Sequence, residues 1–143
     1  MTKQEIIERL PSTVCRIKKS NIHGVGVHAI VDIEPNTNIF PECACDLKTF
    51  KKIKKEEVKE LDEEVKRMMS DFFIETEEYY FTSISLNQID ISYFLNHSNE
   101  PNCFWNEQDD CFYSKIKIQK GQELTLNYDN YLNSELVNPA KAI

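Results

Sequence analysis

Phe94-Leu95-Asn96-His97-Ser98-Asn99-Glu100-Pro101-Asn102 turns abruptly from apolar to polar at Asn96. Asn and His side chains both donate and accept hydrogen bonds, a pattern that suits the edge of an adenine. The same residues also suit a capped turn holding a hydrogen-bonded histidine. Two further strings bear on the choice: Gly24-Val25-Gly26-Val27 upstream and Gly121-Gln122-Glu123-Leu124-Thr125-Leu126-Asn127-Tyr128 downstream.

The chain has only three glycines, and two of them fall in the first of these strings. With Ala29, the spacing matches the dinucleotide fingerprint G-x-G-x-x-A, which requires a helix to begin at the glycines. Ile30, Val31 and Ile33 favour a strand instead, and Pro35 would break a helix there. Nor do strands and helices alternate as a doubly wound sheet demands. Two readings of the glycines stay open: an ordinary hairpin turn, or a place where a ligand lies against bare backbone. Tyr128 closes an alternating segment. On its own it reads as an amphipathic wall, with the ring inward and the hydroxyl toward water.

The bulk composition bounds the answer. A chain of 143 residues with 41% hydrophobic and 29% charged residues suits one folded domain. No apolar run is long enough to cross a bilayer, and residues 1–11 do not form a secretory signal. The five cysteines are an odd number for a disulfide framework, and Cys43-x-Cys45 lacks a second pair at zinc-finger spacing. Reduced thiols and no metal are therefore expected, in an intracellular protein of the cytoplasm or nucleus. A secreted bacterial effector or a viral protein is the alternative. The net charge of −7 argues against direct nucleic-acid binding and favours a basic partner.

Local patterns predict a mostly β chain with minor α. A short helix is expected over 4–10, stopped by Pro11. Strands are expected over 13–17, 25–33 and 37–40, making two or three hairpins, and again over 111–118 and 123–126. Val58, Leu61, Val65, Met68 and Phe72 recur every three or four residues and predict one main helix packed on the core. The lysines at 51, 52, 54 and 55 read as a solvated surface.

Taken together, Ser20-x-x-x-Gly24-x-Gly26-Val27-x-Ala29, Asn96-His97-Ser98-x-x-Pro101-Asn102 and Gly121-x-Glu123-Leu124-Thr125-x-x-Tyr128 resemble the signature regions of SET-domain protein lysine methyltransferases. The similarity spans about residues 12 to 133 and is nearest to the small viral and bacterial stand-alone members. It implies a β-clip fold of small sheets with a C-terminal pseudoknot, where the final strand passes under a loop. Residues 1–143 would form a single SET domain with a variable, partly helical insert at about 46–82 and no cysteine-rich flanking modules.

The resemblance also implies a chemistry: methyl transfer from S-adenosyl-L-methionine to a lysine amine. Tyr128 would be catalytic. Gly24, Val25, Gly26, Val27, Asn96 and His97 would hold the cofactor. Tyr79, Tyr80, Trp105, Leu126 and Tyr131 would line the substrate channel. His28 and Leu126 depart from the family pattern. Many members carry Phe or Tyr at the latter position, where it helps set the number of methyl groups added. The implied partner is a basic, lysine-containing protein tail, with a histone tail one candidate, and the chain would act as a monomer or homodimer. A catalytically inactive SET-like module that binds a protein tail is the alternative.

Overall fold

The structure is a computed structural model that describes residues 1–42 and 49–132, without the side chains of Tyr131 and Leu132. The chain divides into two compact units. The first comprises Met1–Ala44 and Phe94–Asn127, the second Cys45–Tyr93 and Tyr128–Ile143. Among the described residues no helix is long and apolar enough to cross a membrane.

The first unit opens with helix α1 (Lys3–Arg9), started by a reciprocal cap between Thr2 and Glu5. A 3-10 turn over Leu10–Ser12 takes in Pro11 and ends it. Ile6, Ile7 and Leu10 are all exposed. Strands β1 (Cys15–Lys19) and β2 (Val25–Ala29) form an antiparallel hairpin. Strand β6 (Asn96–His97) and strand β9 (Glu123–Leu126) complete a four-stranded sheet in the order β1-β2-β9-β6. Thus β9, near the chain's end, lies between β2 and β6, antiparallel to one and parallel to the other.

Register determines what each face of this sheet carries, since residues paired across strands point the same way. Cys15, Val27, Ala29, Leu124 and Leu126 share the core face, each at most 5% exposed. Arg16, Lys18, Gly26, His28, Glu123, Thr125 and Asn96 share the other. Period-two sequence has therefore made one apolar and one polar face.

A second hairpin, β7 (Cys103–Asn106) with β8 (Cys111–Ser114), alternates buried Cys103 and Trp105 against buried Ser114 and Phe112. Several strand expectations are corrected here. Residues 37–40 form no local hairpin: Asn38 bridges Tyr113, and Ile39 N–H bonds Phe112 O, far along the chain. Strands expected to run to Ile33 and Ile118 stop at Ala29 and Ser114, while those two isoleucines bridge each other. The first forty residues therefore contain one described hairpin.

The second unit holds the sheet β3-β5-β4, formed by β3 (Lys51–Lys54), β4 (Ile74–Glu75) and β5 (Tyr79–Thr82). Helix α2 spans Glu63–Phe72. It does not begin at Val58, as the periodicity suggested. Asp62 caps it by accepting from Glu64 N–H at 2.8 Å, and Glu63 and Glu64 favour the positive end of the helix dipole. Val58 belongs instead to a 3-10 turn, and the buried residue of the helix is Met69, with Met68 40% exposed. The lysines at 51, 52 and 54 are solvated but stand on an edge strand, where charge discourages pairing with another chain. A single helical turn, α3 (Asp129–Leu132), follows Tyr128.

Candidate functional site

Three distant strings converge in the first unit. The parallel pairing of β6 with β9 sets Asn96 beside Thr125 and His97 beside Leu126. Segment 96–102 is tied to β9 at both ends. Ser98 N–H donates to Leu126 O at 2.8 Å. The Asn102 amide then mimics a strand: Nδ2 donates to Glu123 O at 2.8 Å, and Oδ1 accepts from Thr125 N–H at 2.8 Å. Asn102 and Thr125 therefore act as structural staples, a role that sequence reading did not assign.

Asn96 is buried, and its Nδ2 faces four acceptors. They are Ser20 Oγ, His23 O and Val25 O, each at 3.1 Å, and Glu123 Oε2 at 2.8 Å. An amide nitrogen has two hydrogens, so it is fully committed within the protein. Among the described residues Oδ1 takes no hydrogen bond, and it is the atom left for a ligand that donates. His97, by contrast, is half-buried, with Nε2 3.1 Å from Asn99 Oδ1.

The turn joining β1 to β2 is held from inside. Ser20 Oγ accepts from Ile22 N–H at 2.8 Å and His23 N–H at 3.2 Å, and donates to Glu123 Oε1 at 2.7 Å. Residues 21–25 are exposed. Gly24 adopts φ +51°, the left-handed region that favours glycine, and no atom lies within 4 Å of where its Cβ would stand. Its surroundings are open. Gly26 differs. A Cβ there would stand 2.7 Å from Glu123 Cδ and 3.0 Å from Asn96 Nδ2. The group lying against this bare backbone is the chain's own carboxylate, so the glycine at 26 has an internal reason.

Glu123 and Ser20 are the members of this site that sequence reading missed. Both stood inside quoted motifs, but their partners are far away in sequence. His28 Nε2 lies 3.7 Å from Glu123 Oε1, and both side chains are 12% exposed. Of the other nominated residues in this unit, Trp105 and Leu126 are buried at 6% and 3%.

Tyr79 and Tyr80 stand on β5 in the second unit. Lys52 Nζ sits over the Tyr79 ring at 4.0 Å, and Lys55 Nζ lies 5.2 Å from the Tyr80 ring. Lys55 also pairs with Glu75 at 2.7 Å, and that hydrogen bond raises its pKa. Tyr128 lies two residues past the end of β9, not within it, and is 41% exposed. Tyr131 lies in α3, and its side chain is outside the described residues, as are Cys43 and Cys45.

Buried Cys15 and Cys103 carry thiols, and burial pushes them up to about 11 and about 12. A thiol held protonated is a poor nucleophile and metal ligand. Among the described residues no group of three or more His, Cys, Asp or Glu could hold a metal ion.

The SET domain family model matches residues 24–129. In fold, the chain is similar to the crystal structure of a Plasmodium falciparum protein described as a "putative histone methyltransferase", with a TM-score of 0.50. That likeness covers 81% of this chain and 93% of the other at 22% identity, and it concerns the fold alone. No curated protein matches the chain in sequence.

Proposed function

Because the chain belongs to the SET domain family, a family of protein lysine methyltransferases, we propose that it transfers a methyl group from S-adenosyl-L-methionine to the side-chain amine of a lysine in a protein. The observation that carries this reading is the convergence described above. The parallel β6–β9 pairing joins the Asn96-His97 string to the strand that leads into Tyr128, and the Asn96 side chain reaches the glycine turn.

The residues present suit that cofactor. Gly24 leaves open space beside exposed backbone, and Asn96 Oδ1 offers an acceptor to an ammonium group. The Glu123 carboxylate adds negative charge beside the turn, which favours a cationic ligand. In this reading Gly24, Val25, Gly26, Val27, Asn96 and His97 hold the cofactor. When bound, S-adenosylmethionine supplies an electrophilic methyl group on a cationic sulfur.

The remaining roles fall to the substrate side. Free lysine has a pKa of about 10.4, and an apolar entrance beside a cation disfavours its ammonium form. Its proton leaves to water. The Tyr128 hydroxyl orients the neutral amine for in-line attack, where positioning carries much of the catalysis. Phenols with a pKa of about 10 make poor bases at neutral pH, so Tyr128 is assigned orientation and not proton abstraction. Tyr79, Tyr80, Trp105, Leu126 and Tyr131 are assigned to the channel wall.

The net charge of −7 supports a basic protein tail as substrate, with a histone tail the first to try. Action inside a cell, as monomer or homodimer, completes the reading. The test is incubation with a labelled methyl donor and candidate basic proteins, followed by mass spectrometry of the modified lysine. Incorporation into a lysine is expected. No incorporation, together with no thermal stabilisation by saturating S-adenosylmethionine, would mark a non-catalytic tail-binding module.

A further inference from the structure

Glu123 reaches from β9 across the sheet to β2 and lies on the bare backbone of Gly26. Its two oxygens receive two different donors. Ser20 Oγ gives its proton to Oε1 at 2.7 Å, and Asn96 Nδ2 donates to Oε2 at 2.8 Å. Both donors have second tasks. Ser20 Oγ also accepts the N–H groups of Ile22 and His23, which shapes the turn. Asn96 Nδ2 also faces His23 O and Val25 O on that turn.

We propose that Glu123 is a positioning residue of the glycine-turn site, acting through Ser20 and Asn96. The inference rests on the reading that S-adenosylmethionine binds at this turn. The carboxylate does three things at once. As a pure acceptor, it obliges the Ser20 hydroxyl to donate inward, which turns the lone pairs of Oγ toward Ile22 and His23. Together with His23 O and Val25 O, it obliges the Asn96 amide to present nitrogen to the protein and oxygen away from it. It also holds a turn whose residues 21–25 are exposed. An isosteric amide cannot do the same: one of its two polar atoms is a donor and must meet a donor, either the Ser20 hydroxyl or the Asn96 nitrogen.

Two measurements on Glu123→Gln and Ser20→Ala test this. The first is hydrogen exchange of the ligand-free chain. The Ile22 and His23 amides are expected to exchange about tenfold faster in Glu123→Gln, because the bond that orients their acceptor is lost, and at least as fast in Ser20→Ala, which removes the acceptor itself. The second is calorimetry with S-adenosylmethionine. Each variant is expected to bind about tenfold more weakly. The double variant should be little worse than either single one, since both break one network. The loss is expected to fall on cofactor affinity and KM more than on turnover at saturating cofactor.

Unchanged exchange at Ile22 and His23 overturns the positioning role. So does unchanged affinity in a variant of a chain that itself binds the cofactor. An unaltered chain that binds no S-adenosylmethionine but still shows faster exchange in the variants overturns the cofactor reading and leaves only a structural lock. Should Glu123→Gln fail to fold, Glu123→Asp, which keeps the carboxylate but shortens its reach, carries both measurements.

Discussion

Gly26 and Glu123 share one volume: the space that a Cβ at position 26 would need is taken by the carboxylate of residue 123, with Glu123 Cδ 2.7 Å from that point. The pairing explains why a strand interior, where glycine is unfavourable, carries one. It also couples the glycine turn to β9. A side chain from near the end of the chain completes a turn near its beginning.

Gly26→Ala should therefore destabilise the chain by overpacking, by about 1–3 kcal/mol. Both displaced groups, the Glu123 carboxylate and the Asn96 amide, are hydrogen-bonded and have little room to retreat. Urea unfolding is the measurement. Adding Glu123→Ala to Gly26→Ala should cost less than the sum of the two single changes. Strict additivity would mean the two groups do not compete for space.

Asn102→Ala should be costly for a residue of a turn-forming type. It strips partners from Glu123 O and Thr125 N–H in the central strand. Leaving such groups unpaired costs about 1–3 kcal/mol each. Asn102→Asp keeps the acceptor for Thr125 but loses the donor to Glu123 O, so its unfolding midpoint is expected between those of the parent and of Asn102→Ala.

Tyr128→Phe should lower methyl transfer by about a hundredfold or more, the scale of a lost positioning contact. Affinity for S-adenosylmethionine, measured by calorimetry, should stay within about threefold, because the cofactor is assigned to the glycine turn and to Asn96 and His97. Undiminished turnover would remove Tyr128 from its assigned role.

Alkaline pH should weaken the fold through its thiols. Burial raises Cys15 from 9.0 to about 11 and Cys103 from 9.0 to about 12. Above pH 9.0 the unfolded chain releases protons that the folded chain retains, so the unfolded state binds fewer protons and stability falls as pH rises. This contribution is complete below 9.0 and is lost as pH passes through the folded values of about 11 and about 12. Urea midpoints near neutrality and at about pH 10 measure it, with Cys103→Ala as the control that should show a shallower decline. At neutral pH, Cys15 and Cys103 should resist a thiol reagent until the chain is unfolded. Labelling as fast as in urea would contradict their burial.

The strand Glu123–Leu126 was readable from its residues, because alternation and a turn at Gly121 are local properties. The hairpin of β1 and β2 was also readable, though its ends shifted by a few residues. The start of α2 was misplaced because Val58 and Leu61 continue its apolar spacing. The cap at Asp62 overrides that spacing, and the Asp62-Glu63-Glu64 run was its visible signal. The three quoted strings alone were enough to indicate a SET-type chain.

The resemblance implied that the final strand passes under a loop, but not the contacts by which it is held there. That β9 enters between β2 and β6, that Asn102 imitates a strand, and that Glu123 fills the space over Gly26 are matters of long-range pairing. Ser20 and Glu123 are 103 residues apart, and Asn96 and Ser20 are 76 apart. Periodicity and turn chemistry act over a few residues and leave no mark of such partners. Sequence thus determined the family and those strands whose alternation and turns are local, such as Glu123–Leu126. Tertiary structure decided which polar groups satisfy one another. It thereby also decided that Asn96 turns its nitrogen inward, because a buried amide must place its donors where acceptors already stand.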